Sequence, residues 1–215
     1  MPDQADLAKR RVRAEYDALA QHYERRWTNY IARSSDQTLQ RMPWLPGERV
    51  LDLGCGTGLL LSRLLDRNPN IDVTGVDLSP AMVAQARRRL PAGVRLEVAD
   101  AEALPFPAGS FELVVSVSSF HFWPAPGRAL TEIRRVLRPG GRLVVTDWCD
   151  EYLACRVCDR VLRLVDSAHQ RIYGREECAA LLAAAHFEVS SMERYRISWL
   201  WGLMTAVALA RGSGA

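Results

Sequence analysis

The sequence predicts an α/β fold, a sandwich of helices around a largely parallel sheet. Three observations lead there. Stretches with strand character alternate with stretches of helical spacing along most of the 215 residues. Several of the strand-like stretches are almost continuous apolar runs, such as LVVSV at 113–117, as expected of strands covered on both faces. The first of them runs straight into a glycine turn, VLDLGCGTG at 50–58, and then into a helical pattern.

Taken in order, about 45 residues of mainly helical pattern come first, with Tyr16, Leu19, Ala20, Tyr23 and Trp27 at steps of three and four. They form a helical cover rather than a separate domain. Strands are expected at 49–53, 71–77, 94–98, 111–117, 141–147, 187–197 and 200–209. Between them, helices are expected at 59–67, 80–90, 126–137, from about 149 to 166, and at 175–185. The last two strands have no helix between them and should pair antiparallel at one edge of the sheet. No internal repeat is visible, and the tail 211–215 is expected to fray.

Composition narrows the class. With 48% hydrophobic and 25% charged residues, the chain suits one soluble domain, 1–215, around one core. A net charge of +3 is far from the basic footprint of a protein whose main partner is nucleic acid. The clusters Lys9-Arg10-Arg11 and Arg87-Arg88-Arg89 read as solvated helix faces. The charged N-terminus lacks the apolar core of a signal peptide, which implies the cytoplasm. The longest apolar run, 199–210, is 12 residues broken by Gly202, too short to cross a membrane and better read as a buried strand. Five cysteines in a chain without a leader argue for free thiols.

The glycine turn sets backbone N–H groups and a positive helix end beside whatever binds there. Its order, Asp52-x-Gly54-x-Gly56-x-Gly58, departs from the dinucleotide fingerprint, because Leu59 takes the place of the last glycine. A phosphate loop is excluded by the lack of a following Gly-Lys-Ser/Thr. Asp77 ends the second strand and Asp100 follows the third. An ionised carboxylate offers only acceptors, so Asp77 suits the two hydroxyls of a ribose and Asp100 an adenine amino group. Three acids on the carboxyl edge of the sheet describe an adenosine pocket without a pyrophosphate anchor.

The segments VLDLGCGTG, VTGVDLSPAMV, VADAEALPFPAGSFELVVS and RRVLRPGGRLVVTDW resemble, in order and spacing, the successive motifs of class I S-adenosylmethionine-dependent methyltransferases. The likeness is to the small-molecule branch that includes the ubiquinone and menaquinone biosynthesis enzymes. YDALAQHYERRW, 16–27, resembles their N-terminal covering helix. The resemblance implies a Rossmann-like, seven-stranded sheet ordered 3-2-1-4-5-7-6 with strand 7 antiparallel. It also divides the chain into a cover (1–45), a cofactor-binding core (46–147) and substrate-side helices with a C-terminal hairpin (148–215).

Carried over by position, Gly54, Cys55, Gly56, Thr57 and Gly58 would line the methionyl part of S-adenosylmethionine, and Asp52 would hold its ammonium end. Asp77 would take the ribose, Leu78 and Met82 would lie against the adenine, and Asp100 with Ala101 would read its edge. Ser116 to Ser119 would pass near the sulfonium, and Tyr16 and Tyr23 would close the site from the cover. Cys55 presents its backbone rather than a nucleophile.

Methyl transfer from a sulfonium is an in-line displacement that needs alignment and exclusion of water, not a metal. A hydroxyl acceptor needs a base. His121, in SSFHFW, stands where the family places substrate-touching groups, although Phe120, Phe122 and Trp123 around it equally suit core packing. His22 is expected to face solvent, and His169 and His186 to be structural residues in helical context. Methylases of exocyclic amines usually carry an acid or Asn before Pro-Pro-aromatic after strand 4; SVSSFHFW lacks it, which weighs against nucleic acid as substrate. Cys155 and Cys158 share a helix face with Ala154, Val161, Leu162 and Val165, while Arg156, Asp159, Arg160 and Arg163 fall on other faces. Without a second pair, the two cysteines read as small core residues rather than a metal or thiol-binding site. The expected partner is a small methyl acceptor, with an RNA or protein acceptor, or a non-catalytic cofactor binder, as the alternatives.

Overall fold

The computed structural model describes residues 3–166 and 168–211. Its elements are α1 (Gln4–Leu19), α2 (Tyr23–Arg41), β1 (Arg49–Leu53), α3 (Leu59–Arg67), β2 (Asp72–Asp77), α4 (Pro80–Arg89), β3 (Arg95–Val98), β4 (Phe111–Val117), α5 (Pro126–Val136), β5 (Leu137–Trp148), α6 (Leu153–Val165), α7 (Arg175–Ala184), β6 (Phe187–Arg196) and β7 (Gly202–Ala210). A 3-10 turn, Phe120–Phe122, follows β4. The strands form one sheet in the order β3-β2-β1-β4-β5-β7-β6. The pairs among β1 to β5 are parallel, and β7 runs antiparallel to both of its neighbours. Sheet order and strand direction are those the sequence implied.

Strand alternation builds the core in two layers. Val50, Leu113, Val115 and Val144 pack with Leu60, Leu61 and Leu64 of α3 and Val83 and Ala86 of α4. On the other face, Leu51, Leu53, Val114, Leu143 and Val145 pack with Leu130 and Ile133 of α5 and Leu182 of α7. The chain order reverses between β1 and β4, which leaves a crevice at their carboxyl ends.

Five local expectations change. The N-terminal segment is two helices, broken at 20–22 with a further kink at Trp27, rather than one amphipathic face. β5 begins at Leu137 rather than 141, because Leu137 pairs with Phe111 and the next partners are Leu113 and Arg142; Gly140, at φ +75°, absorbs the bulge. α6 begins at Leu153 rather than near 149: Cys149 N–H bonds to Gly202 O and Asp150 N–H to Tyr173 O, which hold 149–152 in a turn. β7 begins at 202, and Trp199, expected in a buried strand, is 81% exposed at the tip of the β6–β7 hairpin. His169 lies in the loop after α6 rather than in a helix, and His186 lies in the turn between α7 and β6, at φ +62°. The rest of the tail, 212–215, is outside the described residues.

Candidate active site

Three connected cavities open at the carboxyl edge of the sheet. The first, of 840 Å³, runs from Gly54 and Gly56 past Asp77 and Leu78 to Asp100 and Ala101, with Tyr16 and Tyr23 of the cover above it. The second, of 440 Å³, continues under the glycine loop to Asp52, Cys55 and Thr57. The third, of 1120 Å³, is aromatic: Tyr30, His121, Trp148, His169 and Trp201 line it, with α6 along one side. Tyr16, Tyr23, Ser118 and Phe122 belong to both the first and the third, so the two spaces meet there.

The glycine loop owes its shape to backbone that only glycine adopts easily. Gly54, Gly56 and Gly58 have φ of +79°, +53° and +78°. A Cβ at Gly54 would sit 2.7 Å from the Ser119 Cβ, whereas one at Gly56 would meet no atom within 4 Å. The loop's N–H groups, however, are not free as the sequence suggested. Those of Gly54 and Cys55 bond to Val76 O, that of Gly58 to Cys55 O, and that of Gly56 to Asp77 Oδ2 at 2.8 Å. The space at Gly56 is therefore a cradle left by a missing side chain, with the Gly56 N–H itself turned to Asp77.

The acids differ in state. Burial and the Asp77 charge push Asp52 up to about 8. Burial also raises Asp77, to about 6, against the pull of the Ser79 and Gly56 N–H groups it accepts. Each Asp77 oxygen keeps a second acceptor site. Asp100 is already engaged: Lys9 of α1 reaches it at 2.8 Å and Glu102 at 2.8 Å, which ties the cover to the turn after β3. Burial pushes the Cys55 thiol far up, so it stays protonated and unreactive.

Three expected site residues do not reach a cavity wall. Gly58 caps α3 behind the loop, where a Cβ would press on Leu90 at 2.9 Å. Met82, in the first turn of α4, is wholly buried. Ser116 points to the opposite face of β4 and shares a 2.6 Å hydrogen bond with Ser119, while Val117 and Ser118 face the ligand space.

His121 does line the aromatic cavity, and it is buried. Its Nδ1 lies 2.7 Å from Asp147 Oδ1, and its backbone N–H bonds to Asp147 Oδ2 at 3.0 Å. The carboxylate fixes the Nδ1–H tautomer and leaves Nε2 with a lone pair. Trp148 stacks on the ring at 4.9 Å and 15°. A second pair, unforeseen, stands beside it: His169 Nε2 lies 2.8 Å from Asp159, and the two imidazoles are 5.5 Å apart. Burial lowers His169 despite Asp159, which keeps it neutral. Asp159, placed by spacing on an outer face, is buried because His169 and the Ile172 N–H bond to it.

Other contributors were also missed. Tyr30 accepts from Trp148 Nε1 and shares a hydrogen bond with Ser118, each at 2.6 Å. At the cavity mouth, burial and the neighbouring Asp166 carboxylate raise Glu15 to about 7. Asp147 had a signal, since it ends strand 5 as Asp77 ends strand 2; nothing in the sequence joins His169 to His121.

Comparison with known proteins agrees with this geometry. Residues 51–145 match a methyltransferase domain family. A Bacillus subtilis protein described as an uncharacterized methyltransferase is 32% identical over 123 residues, which cover 54% of this chain and 68% of the relative. The chain belongs to the methyltransferase family. A Thermus thermophilus demethylmenaquinone methyltransferase is 44% identical over 119 residues, 54% of this chain and 52% of that protein. The chain spans about half the length of some curated relatives it matches. A Thermotoga maritima structure described as a SAM-dependent methyltransferase, possible histamine N-methyltransferase, superposes with a TM-score of 0.76 at 26% identity, over 93% of this chain and 100% of the other. Among the described residues no helix is long and apolar enough to cross a membrane.

Proposed function

We propose that the protein transfers a methyl group from S-adenosylmethionine to a small organic acceptor and releases S-adenosylhomocysteine, acting in the cytoplasm. The observation that carries the reading is the meeting of a glycine-and-carboxylate cavity with an aromatic cavity at Tyr16, Tyr23, Ser118 and Phe122. The cofactor fits the first and second spaces together on two grounds: the open cradle at Gly56, and the buried Asp52 carboxyl, which has no cationic partner among the described residues. Asp52 meets the ammonium end, with Cys55 and Thr57 along the same wall. Asp77 accepts the ribose hydroxyls with its remaining lone pairs, and Leu78 and Ala101 flank the adenine. Asp100 is left a lesser part, since Lys9 holds it.

The cofactor supplies an electrophilic methyl group and a neutral thioether as leaving group. The acceptor would lie among the aromatic rings, where Tyr16 and Tyr23 would align it with the cofactor's methyl group and exclude water. Alignment of this kind is worth about 7 to 11 kcal/mol of the barrier. For a hydroxyl acceptor, the proton passes to His121 Nε2, and Asp147 stabilises the imidazolium that forms. Acidic groups at the cavity mouth, Glu15 and Asp166, favour a small molecule over RNA.

Calorimetric titration with S-adenosylhomocysteine tests the first half. Tight binding that Asp77→Ala weakens tenfold or more supports the reading, and no binding to the wild-type protein overturns it.

A further inference from the structure

The outer face of α6 is apolar where a surface helix is normally polar. Leu153, Val157, Val161, Leu164 and Val165 are between 50% and 86% exposed. The inward face, by contrast, carries Cys155 and Asp159, both buried, and the part-buried Leu162. At about 100° per residue the five apolar positions form one stripe, and Arg156, Arg160 and Arg163 form a row along one flank. All three arginines are exposed, although Arg163 is paired with the buried Asp159 at 2.8 Å, and no exposed acid lies within the helix.

The hairpin tip is tied to the same helix. Cys155 Sγ donates to Gly202 O at 3.3 Å, which ties α6 to the start of β7. Just before that point lies Trp199, 81% exposed, with Arg196 donating to its carbonyl at 3.2 Å. Val157 and Val161 also line the aromatic cavity, so the stripe runs to the cavity mouth.

We propose that α6 and Trp199 form a docking face for the surface of an anionic lipid bilayer. The apolar stripe enters the headgroup boundary, Trp199 anchors beside it, and Arg156, Arg160, Arg163 and Arg196 meet the acidic headgroups. A second protein or a second copy could equally cover leucines and valines, but a one-sided row of arginines beside an exposed tryptophan complements a negative surface. The helix, about 20 Å long, lies along the interface and does not cross it. The inference stands on the surface alone and does not depend on the methyl-transfer reading.

Sedimentation of the full chain with vesicles tests it. The wild-type protein should pellet with vesicles of phosphatidylcholine and phosphatidylglycerol, more weakly with phosphatidylcholine alone, and less as salt is raised. Arg160→Ala should weaken partition about fivefold, the share expected of one arginine at an anionic surface. The double variant Leu153→Glu, Leu164→Glu should abolish it while melting at the wild-type temperature, since both side chains are exposed. The proposal fails if the wild type stays in solution with anionic vesicles, or if the double variant pellets as before. It also fails if, without vesicle binding, the face instead drives a concentration-dependent dimer that the double variant breaks.

Discussion

His121 shows how one carboxylate turns a packed aromatic ring into a candidate base. Stacking on Trp148 and burial beside Phe120 would suit a structural role; the Asp147 bond at 2.7 Å is what fixes a tautomer with Nε2 free. His121→Ala should therefore leave cofactor affinity within about twofold and slow transfer to a hydroxyl acceptor by about 10² to 10⁴, measured with methyl-labelled cofactor. Asp147→Asn should slow it comparably with the ring still in place. Asp52 makes a prediction in pH. Its carboxyl titrates near 8 in the empty site against an ordinary value near 3.8, so its protonated form contributes stability that is lost as pH rises from about 4 through 8. Melting curves should fall over that window more steeply in the wild type than in Asp52→Asn. A cationic ligand beside Asp52 reverses the shift, so S-adenosylhomocysteine binding at neutral pH should release close to one proton, read as a buffer-dependent heat in calorimetry.

Elements place these groups. The β1–α3 turn bends only because three residues reach positive φ, and Gly54 also admits Ser119 at close range. Gly54→Ala should lower stability by about 1–3 kcal/mol and abolish cofactor binding, whereas Gly56→Ala should cost about 1 kcal/mol and act mainly on affinity. Chemical denaturation with titration of each variant separates the two. The cover helix α1 is held by Lys9 on Asp100 and Glu102, a part-exposed pair. Lys9→Ala should change global stability by less than about 1 kcal/mol yet speed amide exchange in α1. The glycine turn and the acids at the ends of β2 and β3 were legible because each residue type has a local backbone or acceptor role. The late start of α6 was not, since the partners of the Cys149 and Asp150 hydrogen bonds that delay the helix come from residues far along the chain.

At the scale of the molecule, the reversal of strand order between β1 and β4 opens one crevice, and α1, α2 and α6 roof it into joined cavities. Local patterns carried the strands, helices and final antiparallel pair, because each is specified within a few residues, whereas the order of the strands in the sheet came from the family resemblance. The aromatic cavity was not legible: Tyr30, Trp148, His169 and Trp201 come from four separate segments, and only the folded chain brings them together. Transfer of a methyl group to a small acceptor is the claim that unites both spaces. The most direct test incubates the purified protein with methyl-labelled S-adenosylmethionine and a cell lysate, then counts label in the small-molecule, RNA and protein fractions beside an Asp77→Ala control. Label in the small-molecule fraction that vanishes in the variant is the predicted result. Label confined to RNA or protein, or present equally in the variant, would contradict it.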